Sequence, residues 1–156
     1  MKHARDKFIL LVIQHIKLHL QGLIPNRRIM MNMNKYVFIM KLKGYHVFDG
    51  DFEDEQDIIG AFEIDQKELQ GAFILYATYE CGGYEGSAFV LFERNGKLYE
   101  VHGGHCSCNG LEGQWEPEET TVDALVHCIK NGRLGQGYIG EDVFGQKLLD
   151  MLVAEA

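Results

Sequence analysis

The sequence predicts an α+β domain, a three- to four-stranded antiparallel meander with C-terminal helices packed on one face. Three observations carry this. Apolar, β-rich runs at residues 72–79, 87–93 and 97–102 follow one another closely. Asn95-Gly96 separates the last two, and this dipeptide supplies the positive φ angles that a type I′ hairpin turn needs. Further on, Val122, Leu125, Val126 and Ile129 repeat at i, i+3, i+4 and i+7, the spacing of one helical face.

The chain has 156 residues, 46% hydrophobic and 24% charged, enough for one domain with its own core. This composition excludes a disordered chain, a collagen-like repeat and a coiled coil. Two prolines and no Ser/Gly-rich linker argue against two tethered domains.

Charge divides the chain. Residues 1–44 carry nine Lys and Arg against the single acid Asp6, whereas residues 45–156 carry six cations against 22 acids. We therefore read residues 1–32 as a basic N-terminal appendage and residues 33–156 as a single acidic domain. In the appendage, Phe8, Leu11, Val12, Ile16 and Leu20 form an apolar helical stripe that Gly22 and Pro25 would end. Its apolar run, residues 8–13, is too short to span a bilayer, and no small-residue cleavage site follows. Such a helix lies on a membrane surface or docks on a partner. Met30, Met31 and Met33 also offer later starts, so the segment reads equally as an upstream extension.

Residues 36–42 form an apolar run suited to a first strand, and residues 44–50 read as a turn or short extended piece. Six acids crowd residues 49–57. A calcium loop requires Gly at its sixth position and Glu at its twelfth, where this chain has Asp54 and Gly60. The acids instead suit the first turn of a helix with Phe52, Ile58, Ile59 and Phe62 on its apolar side. In the meander, residues 88–92 are apolar on both faces and predict a central strand. Residues 97–102 suit a strand near an edge, and residues 80–86 a glycine-rich loop. Thr120 or Thr121 caps the first C-terminal helix, and Asn131-Gly132 stops it. The second helix spans about residues 141–153, with Phe144, Leu148, Met151 and Leu152 inward.

Several patterns invite chemistry. Residues 135–140 spell G-x-G-x-x-G, but a helix precedes them and no acid follows about 20 residues on, so they read as a helix–helix connection. The densest cluster is His102, His105, Cys106 and Cys108, set among glycines. These are soft and borderline ligands suited to zinc, although zinc sites ordinarily join two separated ligand pairs. The competing reading is a compact turn after an edge strand, packed by its own side chains. A cysteine-dependent hydrolase would take Cys81, Cys106 or Cys108 as nucleophile and His102, His105 or His127 as base. Against it, Cys106 and Cys108 sit in an acidic body without a nearby cation to stabilise a thiolate, and Cys81 merely precedes a glycine turn. Trp115 lies among Glu116, Glu118 and Glu119, an aromatic anchor beside a helix cap rather than a sugar site with an acid/base pair. Four unevenly spaced cysteines suit reduced thiols in a cytosol, not a disulfide scaffold.

The stretch from GSAFVLF (residues 86–92) through GKLYEVHGGHCSC to GLEGQWEPEET resembles a group of uncharacterised proteins encoded by bacteriophages and prophages. The similarity runs from about Gly71 to about Phe144 and leaves residues 1–40 out. It implies a phage origin and the cytoplasm of a bacterial host, but no reaction. The expected function is that of a non-catalytic acidic accessory protein that binds a host or phage protein, one that handles nucleic acid among them. The alternatives are a zinc-binding module and the thiol hydrolase. An acidic body lacks the cation clusters that phosphate binding needs, so no nucleic acid is expected on it.

Overall fold

A computed structural model describes residues 44, 46–82, 84–136 and 143–153, all within the second of the two units into which the chain divides, residues 38–156. The appendage 1–32, the strand expected at 36–42 and most of the G-x-G-x-x-G segment lie outside the described residues. Among those described, no helix is long and apolar enough to cross a membrane.

The fold is α+β, with five strands in sequence order: β1 (Val47–Gly50), β2 (Phe73–Gly82), β3 (Glu85–Arg94), β4 (Lys97–Cys106) and β5 (Glu118–Thr120). Three pairings are antiparallel, as expected, but β1 runs parallel to β2, from Val47 opposite Tyr76 to Gly50 opposite Tyr79. The sheet is therefore mixed and five-stranded, not a three- to four-stranded antiparallel meander. The physical reason is a crossover. Helix α1 (Glu55–Phe62) and a 3₁₀ turn (Gln66–Leu69) separate β1 from β2 and return the chain in the same direction. Residues 47–50, read from sequence as a turn or short extended piece, become the edge strand of that unit.

Helix α1 starts where the acids are densest, and two of them serve as its cap. Asp54 Oδ1 accepts from Gln56 N at 2.7 Å and Asp57 N at 3.2 Å, while Asp57 Oδ2 accepts from Asp54 N. This reciprocal box satisfies amides that a helix start otherwise leaves unpaired. Helix α2 (Val122–Lys130) begins at Thr121, whose hydroxyl accepts from Ala124 N at 3.1 Å, and Gly132 follows its end with φ +64°. Helix α3 (Gly145–Val153) forms the later part of the helix expected over about 141–153; residues 141 and 142 lie outside the described residues, and Val143 and Phe144 precede the helix.

The sheet is covered on both faces. On one, Leu75, Phe89 and Leu91 pack against Leu125 of α2 and Leu148, Met151 and Leu152 of α3. On the other, Ala77, Val90 and Val101 pack against Phe52, Ile58 and Phe62, with Leu111 from the loop after β4. Each large apolar side chain buried in this way contributes on the order of 1.5–3 kcal/mol. The C-terminal helices thus share one face, and α1 takes the other.

Two contacts tie the margins. Lys147 of α3 donates to Asp49 Oδ2 of β1 at 2.5 Å, and the Tyr76 hydroxyl donates to the same oxygen at 3.3 Å. The Lys147 hydrogen bond, against an opposing push from burial, holds the Asp49 carboxyl below its usual 3.8. Because the folded value is depressed, this stabilisation is complete above the unfolded value and disappears as pH falls through the folded one. Lys147→Met is expected to remove that part of the acid limb. Urea midpoints measured from neutrality down through the carboxylate range check it, and acid limbs identical in both proteins would refute it.

At the opposite margin, β5 pairs only with Leu98 to Glu100 of β4. Beyond it, the Gln114 side chain takes over: Gly104 N donates to Gln114 Oε1 at 2.9 Å, and Gln114 Nε2 donates to Gly104 O at 2.8 Å. Cys106 and Asn109 then exchange two backbone hydrogen bonds that close a tight turn.

Candidate functional site

Residues 102–106 are strand, not a turn following one, which decides where the four predicted metal ligands go. Side chains of a strand alternate between faces. His102 points to the α2/α3 side, where its ring meets Phe89 edge-on at 5.2 Å and its Nε2 lies 3.4 Å from Glu100 Oε2. His105 points to the α1 side, against Tyr79. Cys106 shares the side of His102, but four residues along a strand place it about 13 Å away. Cys108 occupies the exposed turn, with its Sγ 3.8 Å from Ser107 Oγ. The structure does not bring His102, His105, Cys106 and Cys108 together. Strand β4 also continues to Cys106 rather than ending at His102, and β5 removes its edge position over Leu98 to Glu100.

What the structure does bring together is Cys81 and His105. The hairpin registers place Cys81 of β2 opposite Gly86 of β3, and Gly86 opposite His105 of β4, in one row across three strands. Cys81 and His105 are two strands apart, about 10 Å along the sheet. The imidazole spans that gap because Gly86 has no side chain. A Cβ built there would fall on the imidazole ring and on the Glu80 carbonyl oxygen. His105 Nε2 lies 3.6 Å from Cys81 Sγ, and its Nδ1 lies 3.1 Å from the Tyr79 hydroxyl. Tyr79 sits two residues before Cys81 and so on the same face.

The surroundings are acidic. Burial first, then the neighbouring Cys81 and Asp51, push the Tyr79 hydroxyl above its ordinary value, and Glu112 adds to this. Tyr79 thus stays a neutral phenol at physiological pH, able to accept from or donate to the imidazole. With the proton on Nδ1, that N–H donates to the Tyr79 oxygen and the Nε2 lone pair faces the thiol. Cys81 is exposed and His105 half-buried, so the thiol is open to solvent while the ring is held.

The remaining candidates fall elsewhere. His127 is exposed on α2, and Cys128 packs beside the core of that face. Trp115 is the expected anchor: its ring stacks on Phe92 at 6.0 Å and meets Phe62 edge-on at 5.2 Å. Of the G-x-G-x-x-G stretch, Gly135 is described, and its carbonyl accepts from the amides of Val143, Phe144 and Gly145. Those amides at the start of α3 are therefore already engaged within the chain. Sequence reasoning weighed Cys81 and His105 in separate lists of nucleophiles and bases, and it assigned no role to Gly86 or Tyr79.

No family model, curated protein or solved structure matches the chain.

Proposed function

We propose that the protein is an accessory protein of a bacteriophage, acting in the cytoplasm of the bacterial host, whose acidic surface binds a basic protein. One observation carries the reading. Residues 53–68, spanning α1 and the 3₁₀ turn, hold Glu53, Asp54, Glu55, Asp57, Glu63, Asp65 and Glu68 against one cation, Lys67. Lys67 is already engaged, its Nζ 3.3 Å from Asp65. A shallow groove of about 450 Å³ opens here, between Glu55, Ile59 and Asp65.

The same imbalance holds more widely. Lys97 pairs with Glu119 at 2.6 Å and Lys147 with Asp49 at 2.5 Å, so cations are spent on the protein's own acids. An uncompensated field of this kind raises encounter rates with an oppositely charged surface and repels phosphate backbones. A basic protein that handles nucleic acid fits that field, because its own binding surface must be cationic.

The test is retention from host lysate on immobilised protein, compared with the doubly reversed Glu53→Lys/Glu55→Lys. Both positions are exposed, and neither is the capping carboxylate. A basic protein identified by mass spectrometry should be retained at low salt, released at high salt and lost with the variant. Retention indifferent to both salt and charge reversal would refute the reading.

A further inference from the structure

The Cys81–His105 row lies on β2, β3 and β4 rather than among the acids of α1 and the 3₁₀ turn, and it has the parts of a nucleophilic site. We propose that Cys81 is a reactive thiol that accepts acyl groups from neutral or cationic activated esters and thioesters, with His105 as its base.

Geometry separates Cys81 from the other exposed thiols. A weakly nucleophilic thiol is activated by a base within hydrogen-bonding reach, itself oriented by a third group. Cys81 has both: imidazole Nε2 at 3.6 Å, and a ring whose other nitrogen is engaged by Tyr79 at 3.1 Å. The ring is further fixed by its seat over Gly86 and its edge-on contact with Tyr79, with centroids 5.7 Å apart. Cys108 has only the Ser107 hydroxyl as a side-chain neighbour in hydrogen-bonding range among the described residues, and Cys106 points to the opposite face. Cys106 and Cys108 thus serve as controls of similar exposure within the same molecule.

The reaction balances without an external redox partner. Cys81 Sγ attacks the carbonyl carbon as the thiol proton passes to His105 Nε2. The bond from that carbon to the leaving oxygen or sulfur breaks, and the leaving group takes the proton from Nε2 to depart as an alcohol or thiol. A thioester remains on Cys81. Water then gives a proton to Nε2 as its oxygen bonds to the thioester carbon, the carbon–sulfur bond breaks, and Cys81 Sγ takes that proton back from Nε2, releasing the acid. Substrate charge follows from the neighbours. Asp51, whose backbone N–H donates to the Tyr79 carbonyl at 2.7 Å, brings a carboxylate to this end of β2, and with Glu112 it disfavours an acyl donor that carries a carboxylate.

The experiment treats the full chain with iodoacetamide and, separately, with p-nitrophenyl acetate at neutral pH, and maps the label by peptide mass spectrometry. Iodoacetamide is expected to label Cys81 about tenfold faster than Cys106 and Cys108, and the acetyl group should appear on Cys81 first. His105→Gln should bring Cys81 down to the rate of the other two thiols, and Tyr79→Phe should fall between. Equal labelling of the three thiols in the wild-type chain would overturn the proposal, whether or not a variant folds. So would an unchanged Cys81 rate in a folded His105→Gln. Labelling of Cys81 only after treatment with a chelator would also overturn it, by making the pair a ligand for a metal ion.

Discussion

Gly135→Ala is expected to destabilise the fold by about 2–4 kcal/mol. Gly135 adopts φ +80°, a conformation that strains any residue with a side chain. A Cβ at this position would also fall on the backbone nitrogen and Cα of Gly145, which cannot rotate away as a side chain can. The same residue receives the amides of Val143, Phe144 and Gly145 on its carbonyl. Displacing it therefore shifts the start of α3, and with it Leu148, Met151 and Leu152, all nearly or fully buried. Urea unfolding measures the loss as a lower midpoint, and a midpoint equal to that of the wild type would show that the junction has slack.

Phe92→Ala should be more damaging, by about 3–5 kcal/mol. Phe92 is fully buried, lies stacked on Tyr99 at 5.4 Å and on Trp115 at 6.0 Å, and has the Arg94 guanidinium 5.1 Å from its ring centre. Removing it opens a void beneath the only tryptophan of the chain. Emission from Trp115 should move to the red in the folded variant, because water gains access to the indole. A stability loss under 1 kcal/mol, or an unmoved emission maximum, would mean that the aromatic stack does not close this face.

Much of this architecture was legible in the residues. The I′ turn stands as expected, with Asn95 at φ 54° and Gly96 at φ 77°. The continuous apolar run around Val90 is the central strand, and Thr121 with Gly132 bound the first C-terminal helix. Strand ends were not legible, because their residues lack apolar alternation. His102 to Cys106 is polar and glycine-rich, so nothing in it marks a strand. It extends only because β3 supplies the partner backbone. Residues 47–50 read only as a turn or short extended piece for another reason: four residues at a sheet edge carry little pattern, and their parallel pairing depends on the helix that returns the chain.

The pairing of Cys81 with His105 was closer to hand in the residues than three candidate thiols set against three candidate imidazoles suggest. Once Arg94 faces Lys97 across the I′ turn, counting back along both strands puts Gly86 opposite His105. A second two-residue connection, with Gly82 opposite Glu85, puts Cys81 opposite the same glycine. The row was hidden because residues 80–86 read as a loop and residues 103–106 as a turn, and so carried no register. No residue pattern announced Tyr79, whose part depends on sharing a face with Cys81.

The amide of Gln114 has a consequence for how this protein meets others. Exposed strand margins recruit foreign extended chains by offering them unpaired main-chain donors and acceptors. At Gly104 one side chain occupies both groups, and at Cys106 the turn to Asn109 does the same. That stretch of β4 is closed to templated addition of a strand, whether from an aggregating copy or from a peptide ligand. Recognition along this border is left to side chains, whose selectivity depends on ionic strength in a way that a backbone zipper does not.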